Sequence, residues 1–478
     1  MTRADLIALA PFLVIAGGAV LVMLGIALRR SHRLTFGLTL AIFASGLASL
    51  PQTVPFSPRQ LTTLLVMDGY ARFYLGLLFA AGFAVALMSY SYLELQGGER
   101  EEFYLLLLLA TLGSAVLVAS THFASFLLGL EILSVSLYVL IGYTCTREQS
   151  IEAAVKYLIL AAVSAAFLFF GMALIYADLG TMELSRVNSL LAARPGGPGA
   201  LLLAGLALAT VGIGFKLAVV PFHMWTPDVY EGAPAPATAF VASVSKGGVF
   251  ALLLRYFSQL QLREHGVFFE IFASIAIASM LAGNLLALRQ NNVKRILAYS
   301  SIANLGYLLV AFLASGSRAF TAVAYYLTAY FAAILCAFGV ISALSGREAE
   351  MDSLPDYQGL FWRRPWVAGM FTTALLSLAS IPLTAGFIGK FYVLTAGIGS
   401  ALWLLVLVLV GTSGIGLYYY LRIVVIMAQD PGPAASTPPP VLTFTGGLVL
   451  TALTVALIWL GVYPAPIVRL IEATAASL

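Results

Sequence analysis

Charge is scarce in this chain: Asp, Glu, Lys and Arg together supply 10% of 478 residues, against 61% hydrophobic residues and a mean hydropathy of +0.98. So few polar groups cannot clothe a water-facing globule, so most of the surface must meet lipid. Cysteine is nearly absent. Cys145 and Cys336 have no CxxC neighbours, which excludes a cysteine-held cluster or zinc site and leaves both as expected apolar packing residues. The four histidines, His32, His122, His223 and His265, show no HxxxH or HxxE spacing. A phosphate-cradling loop and a dinucleotide fingerprint are also missing. The chain therefore carries no metal, cofactor-binding motif or redox centre of its own, and any pumping it performs must be driven from elsewhere.

What is present is a succession of apolar runs. A bilayer crossing needs about 20 mostly apolar residues. By that ruler fourteen segments qualify, roughly 5–28, 34–50, 71–93, 103–121, 123–143, 153–177, 199–220, 237–258, 267–288, 294–314, 319–345, 366–394, 398–428 and 441–461. The fold class expected is an all-α polytopic membrane protein. The first run is longer than a removable signal peptide, and its basic cluster Arg29, Arg30 and Arg33 follows it, so it is expected to remain as a span. That cluster shares one side of an alternating topology with Arg289, Lys294, Arg295, Arg347, Arg363 and Arg364, the side the positive-inside tendency assigns to the cytoplasm. Both termini are then expected outside.

The five lysines are distributed unlike the arginines. Lys156, Lys216, Lys246 and Lys390 fall inside apolar runs, and only Lys294 reads as a loop residue. Arginine keeps its charge in any protein environment, whereas a desolvated lysine can release a proton. Glu131, within LLGLEILSVSLYVLIGY, is the one acid away from the connections. Intramembrane ionisable groups of this kind mark charge pathways.

Residues 103–428 contain ten spans. Two sets of five enter the membrane with opposite orientation, which is the arrangement of an inverted repeat. The fourth span of each set, VGIGFKLAVVPFHMW and LASIPLTAGFIGKFYVL, is interrupted by proline and carries a lysine. Breaks are expected near 216–221 and 382–390, where freed carbonyls around Pro221 and Pro382 need protein or water partners. The expected divisions are 1–102, 103–260 (first repeat), 261–430 (inverted second repeat) and 431–478. The second span of set one bears Glu131, and its counterpart offers Ser300, Asn304 and Tyr307 at i, i+4 and i+7 on one helix face. PGPAASTPPP reads as a stiff linker, and the connections 94–102, 178–198, 346–365 and 429–440 show no catalytic constellation.

Four stretches carry a resemblance: FLLGLEILSVSLYVLIGY at 126–143, GFKLAVVPFHMWTPDVYEGAPAPATAF at 214–240, VKRILAYSSIANLGYLLVA at 293–311 and SIPLTAGFIGKFYVL at 380–394. Through them the chain resembles the antiporter-like membrane subunits of bacterial NADH-quinone oxidoreductase, respiratory complex I, which are related to Mrp-type cation/proton antiporters. TPDVYEGAPAP and the lysine of GFIGKFY are similar to the subunit N branch. The resemblance implies proton translocation by Glu131 and Lys216 as the ion pair of a first half-channel, Lys246 as the link and Lys390 as the second site. Lys156 is implied as a secondary member, and His223 is a further secondary candidate, for gating proton entry. Where that family often has a histidine, this chain has Asn304, which cannot titrate, so a water-mediated step between Lys246 and Lys390 is expected. The same resemblance implies NADH, FMN, iron-sulfur clusters and quinone in partner subunits, contacts with subunits M, K and J and with phospholipids, and a bacterial inner-membrane location.

Competing readings exist for each residue. Glu131 and Lys216 as a static salt bridge, Lys246 as packing against glycine-thinned backbone, Lys156 snorkelling to the interface and Lys390 capping freed carbonyls are the structural alternatives. His223 beside Trp225 reads first as interfacial structure, and Asp228 and Glu231 as surface acids. At the level of the whole chain, the alternatives to a complex I subunit are an Mrp-like antiporter subunit and a scaffold that moves no ions.

Overall fold

Residues 2–192, 199–257, 266–314, 317–346, 350–431 and 443–475 are described in a computed structural model of the chain. The linker at 432–440 and the junction at 261 lie outside the described residues. Three helices come first: α1 (Arg3–Leu28), α2 (His32–Ser49) and, after a short hairpin of β1 (Arg59–Gln60) and β2 (Val66–Met67), α3 (Gly69–Gln96). Five spans follow, formed by α4 (Glu101–Ala119), α5 (Phe123–Ile141), α6 (Glu148–Leu179), then past the surface helix α7 (Leu184–Ala192), α8 (Ala200–Leu217) with α9 (Trp225–Gly232), and α10 (Ala235–Phe240) with α11 (Lys246–Phe257). The next five comprise α12 (Gly266–Ala287), α13 (Val293–Leu313), α14 (Ser317–Leu344), then past the one-turn α15 (Leu360–Arg363), α16 (Pro365–Leu378) with α17 (Ala385–Gly399), and α18 (Trp403–Ala428). α19 (Phe444–Val462) is the last crossing and α20 (Ala465–Ala475) packs on α14 and α3. Thirteen of these segments are long and apolar enough to span a bilayer, and the split α16/α17 makes the fourteenth. Buried apolar side chains form one continuous core that includes the α10–α11 span, buried along nearly its whole length.

Local chemistry explains where helices start and stop. Thr2 and Asp5 cap α1 reciprocally, and Asp68, Asn292 and Thr443 accept backbone N–H bonds at the starts of α3, α13 and α19. Both expected breaks are present. α8 stops at Ala218 (φ 60°), three residues before Pro221, and α16 gives way to Ser380 and Leu383 (φ 61° and 72°) around Pro382. Positive φ in residues other than glycine is sterically costly and is held only by surrounding structure. Here the Trp225 indole N–H donates to the Phe215 carbonyl (2.9 Å), the Val220 N–H to Ser279 Oγ (2.9 Å) and the Gly386 N–H to Ser377 Oγ (3.1 Å). Side chains thus satisfy backbone groups that a broken helix frees inside lipid.

The two five-span sets share a close contact. A methyl on Gly113 of α4 would lie 2.5 Å from the Leu133 nitrogen and 2.7 Å from the Gly129 oxygen of α5. On Gly283 of α12 it would lie 2.6 Å from the Ala303 nitrogen and 2.7 Å from the Tyr299 oxygen of α13. Each position is displaced by 170 residues, 113 to 283, 129 to 299 and 133 to 303. In this register Glu131 corresponds to Ser301, and Ser134 to Asn304.

Polar contacts gather at the two ends of the bundle. At one end Arg30 meets Glu99 and Glu102, His32 meets Glu94, and Asn292 donates to Asp352. At the other, Leu65 bridges Ser120 and His122 bridges Glu183, while Asp68 both caps α3 (Ala71 N, 2.7 Å) and takes two bonds from the Arg255 guanidinium (2.8 Å each). Arg255 also donates to the Val118 carbonyl (3.0 Å) and lies 4.6 Å over the Tyr70 ring. Beside it opens a polar cavity of about 440 Å³, lined by Gln60, Ser120, Thr121, Glu183 and Arg255.

Three expectations change. Lys294 is the second residue of α13 and fully buried, not a loop cation. The connection after α14 carries a buried acid, Glu350, which pairs with it. Cys336 is buried as expected, whereas Cys145 is exposed in the α5–α6 connection.

Candidate functional site

Lys216, Lys246 and Lys390 are 3%, 1% and 6% exposed, so all three ammonium groups lie inside the bundle. Lys216 sits in the last turn of α8, just before the break. Its Nζ donates to Ser134 Oγ (2.6 Å) and lies 5.4 Å from the centre of the Tyr157 ring. Glu131 is one helical turn from Ser134 on α5, which puts both on one face. Its Oε1 is buried without a hydrogen-bond partner. The structure therefore sets Ser134, and no direct ion pair, against Lys216.

Lys246 opens α11 immediately after a π-helical turn at Val241–Ser245. Such turns insert one extra residue into a helix and concentrate at functional sites. The Lys246 ammonium donates to Ser301 Oγ (2.7 Å) and faces the rings of Tyr230 (5.1 Å) and Trp225 (5.9 Å). Ser301 also receives Tyr330 OH (2.8 Å) and Tyr230 OH (3.3 Å). One hydroxyl oxygen is thus the meeting point of a lysine and two tyrosines.

From Ser301 the polar side chains continue along α13. Asn304 donates to the Ser300 carbonyl (2.8 Å) and accepts from Tyr326 OH (2.5 Å), and the Ser300 hydroxyl is bonded to that of Tyr420. Tyr326 and Tyr330, four apart on α14, thus bond Asn304 and Ser301 respectively. Between them and the α16–α17 break lies a cavity of about 10 Å³, lined by Asn304, Tyr326, Tyr330, Ser377, Ser380 and Gly386. That is the scale of one water position. Tyr307 accepts from Asn284 Nδ2 (2.9 Å), and its ring lies 4.5 Å from the Lys390 ammonium, which donates to Ser413 Oγ (2.8 Å). Ser300, Asn304 and Tyr307 are all buried, but each faces a different neighbour.

The secondary residues separate from this row. Lys156 is partly exposed and bound to Glu152 (2.6 Å) and Asp228 (2.8 Å). Asp228 and Glu231 in turn hold Arg295 (3.0 and 2.7 Å), so these acids belong to a half-buried ionic network and not to a free surface. His223 is buried within the α8–α9 break, its Nδ1 without a partner. Ser134, Ser301, Tyr326, Tyr330, Tyr420 and Ser413 escaped the sequence reading. Their proximity to lysines arises from helix packing, and only the 170-residue register would have singled out Ser301 over Ser300.

Among the described residues, none of Lys216, Lys246 and Lys390 forms an ion pair, and no group of three or more metal-ligating side chains converges. The arrangement is a file of amines joined by hydroxyls, which both donate and accept. Such a file is suited to moving protons.

Residues 120–416 match the profile of a family described as NADH:quinone oxidoreductase/Mrp antiporter, TM. The protein called NADH-quinone oxidoreductase subunit N from Methylococcus capsulatus is 47% identical over 98% of this chain and 95% of its own length. A chain of respiratory complex I from Thermus thermophilus, solved with bound Aureothin, superposes with a TM-score of 0.83 at 32% identity, covering 96% of this chain and 98% of that one. A chain of the Mrp complex from Dietzia sp. DQ12-45-1b shares the fold, with a TM-score of 0.87 at 20% identity over 100% of this chain and 98% of that one.

Proposed function

As a member of the NADH:quinone oxidoreductase/Mrp antiporter transmembrane family, the chain is a proton-translocating, antiporter-like membrane subunit, and we propose that its protons pass along Lys216, Lys246 and Lys390. One observation carries this reading. Each ammonium is buried at or near a helix discontinuity and is held by a hydroxyl and an aromatic face, with no carboxylate locked to it. A buried ion pair fixes its charges in place, whereas a lysine held by hydroxyls can give up a proton and accept the next.

In this reading Glu131 is the modulating charge. Its unpartnered oxygen lies a turn from Ser134, so a small displacement brings it towards or away from Lys216 and changes the stability of that ammonium. Ser301 takes the proton of Lys246 as it passes its own to Tyr330, which gives up its proton in turn, and a water in the small cavity between Tyr330, Tyr326 and Asn304 carries that proton past the amide. Ser300 and Tyr420 flank that step, and Tyr307 and Ser413 receive Lys390. Lys156 is a fixed charge at the bundle's edge, and His223 a group at the first break.

The family membership also supports a reading of the assembly. The chain works within an NADH-quinone oxidoreductase in a bacterial inner membrane, its termini periplasmic, with phospholipids and subunits M, K and J as neighbours and with NADH, FMN, iron-sulfur clusters and quinone in other subunits. Residues 103–260 and 261–430 are the two repeats, flanked by 1–102 and 431–478.

The test is NADH-driven proton uptake by inverted membrane vesicles, normalised to electron transfer, for wild type and Lys216→Ala in an assembled complex. The reading expects the ratio of protons to electrons, or the coupled turnover, to fall. An unchanged ratio and rate would leave the chain a scaffold.

A further inference from the structure

Glu350 belongs to a connection between spans, yet it is 7% exposed and is reached by donors from four other parts of the chain. Tyr92 OH of α3 bonds to its Oε1, the Ala235 N–H at the start of α10 donates to the same oxygen (3.1 Å), and Arg147 from the α5–α6 connection lies 3.5 Å away. Lys294 Nζ of α13 binds the other oxygen. Two further acceptors surround that Nζ, the backbone carbonyls of Glu231 (2.8 Å) and Ala233 (2.7 Å).

These contacts converge on the chain reversal EGAPA at 231–235, which joins α9 to the span bearing Lys246. Two of its carbonyls and one of its N–H groups are held by Lys294 and Glu350, both from the second set of spans. Two helical turns along α13 from Lys294, on the same face, Ser301 holds Lys246 itself. α13 therefore grips the Lys246 span at its end and at its lysine. Well-packed apolar side chains would hold two helices together as firmly as a buried ion pair does, because burying full charges is costly. Packing alone does not account for charges here.

We propose that Glu350 and Lys294 are positioning residues that fix the Lys246 span against Ser301, so that proton transfer from the first half of the chain to the second depends on the charge of Glu350. The proposal rests on the relay reading. With Glu350 ionised, Lys294 spans the carboxylate and the reversal and holds α9, α10 and α13 in one register. With that charge removed, the reversal loses its tie to the second half, and Lys246 loses its fixed distance to Ser301.

The experiment compares wild type, Glu350→Gln, Glu350→Asp and Lys246→Ala in the assembled complex, measuring protons taken up per NADH oxidised in inverted vesicles and, for the amount of complex, NADH oxidation with an artificial acceptor. The expected result is a lowered ratio in Glu350→Gln at unchanged acceptor reduction, with recovery of at least part of the loss in Glu350→Asp. A wild-type ratio in Glu350→Gln together with a lowered one in Lys246→Ala would overturn this proposal and leave the relay standing. A wild-type ratio in Lys246→Ala would remove the relay itself. Should Glu350→Gln fail to assemble, the double substitution Lys294→Gln with Glu350→Gln leaves no lone buried charge. It too is expected to lower the ratio, and a wild-type ratio there would equally overturn the proposal.

Discussion

Replacing Asp68 by Ala would strand the Arg255 guanidinium at the end of the Lys246 span. The pair is bidentate at 2.8 Å with side chains 6% and 10% exposed, and Asp68 also caps α3 through Ala71 N. Breaking one side of a buried pair costs roughly 3–5 kcal/mol. The lower figure applies, because Arg255 lines a polar cavity and keeps the Val118 carbonyl. Loss of the cap adds about 1 kcal/mol. The unfolding entropy of about 2.1 cal/mol/K per residue, taken over the chain, makes roughly 4 kcal/mol a loss of about 4 °C in midpoint. Asp68→Asn keeps the cap and one guanidinium bond and should lose less than half of that. Buried Cys336 supplies the probe. With exposed Cys145 replaced by Ser, labelling of the purified subunit by a thiol-reactive fluorophore during heating follows opening of the core. Equal midpoints for Asp68→Ala and wild type would refute the argument that this pair secures the α3–α11 junction.

Ser301→Ala removes the acceptor shared by Lys246, Tyr330 and Tyr230; since a hydrogen bond to a charged group contributes about 1.5–3 kcal/mol, coupled turnover should fall about tenfold or more, with Ser301→Thr retaining most of it. Steady-state NADH oxidation under proton-motive load measures both. Gly113→Ala and Gly283→Ala should each destabilise by about 1–3 kcal/mol, because the new methyl meets backbone that cannot yield, while Gly411→Ala, with open space around it, should be nearly neutral; heat-inactivation midpoints separate them. Burial disfavours the ionised Glu350, but the Lys294 ammonium and the hydrogen bonds from Lys294 and Tyr92 outweigh it and hold the carboxyl below the ordinary 4.5. A lowered carboxyl contributes stability above its unfolded value and loses it as pH falls through the folded one, so acid should weaken wild type below about pH 4.5 more than Glu350→Gln. Parallel acid-unfolding curves would count against this assignment.

Much of this architecture was legible in the residues themselves. Apolar runs gave the spans, and Pro221 and Pro382 gave the breaks, since proline within an apolar run removes a helix bond and clashes with the preceding turn. Lys216, Lys246 and Lys390 stood out because cations are rare in lipid. What resisted reading was partnership across sequence distance. Lys294 looks like a loop residue beside Arg295, and its burial depends on Glu350, 56 residues away. Ser300 and Ser301 are adjacent letters pointing about 100° apart on a helix, and only packing decides which of them meets Lys246. The unpartnered oxygen of Glu131 and the hydroxyl placed beside Lys216 are likewise products of how α5 meets α8.

The π turn at Val241–Ser245 gives the α10–α11 span a phase offset. An α-helix advances about 100° per residue, so a turn that takes up one extra residue sets every later residue back by that angle from where a regular helix would place it. Ala235 can then face Glu350 while Lys246, on the same continuous rod, faces Ser301. A perfectly regular helix through the same anchor would aim that ammonium about a quarter-turn away from Ser301. The azimuth of the central lysine is thus written in the winding of the backbone, and rewinding the turn as regular α-helix with every residue kept would leave a sound helix with its lysine pointing at the wrong neighbour.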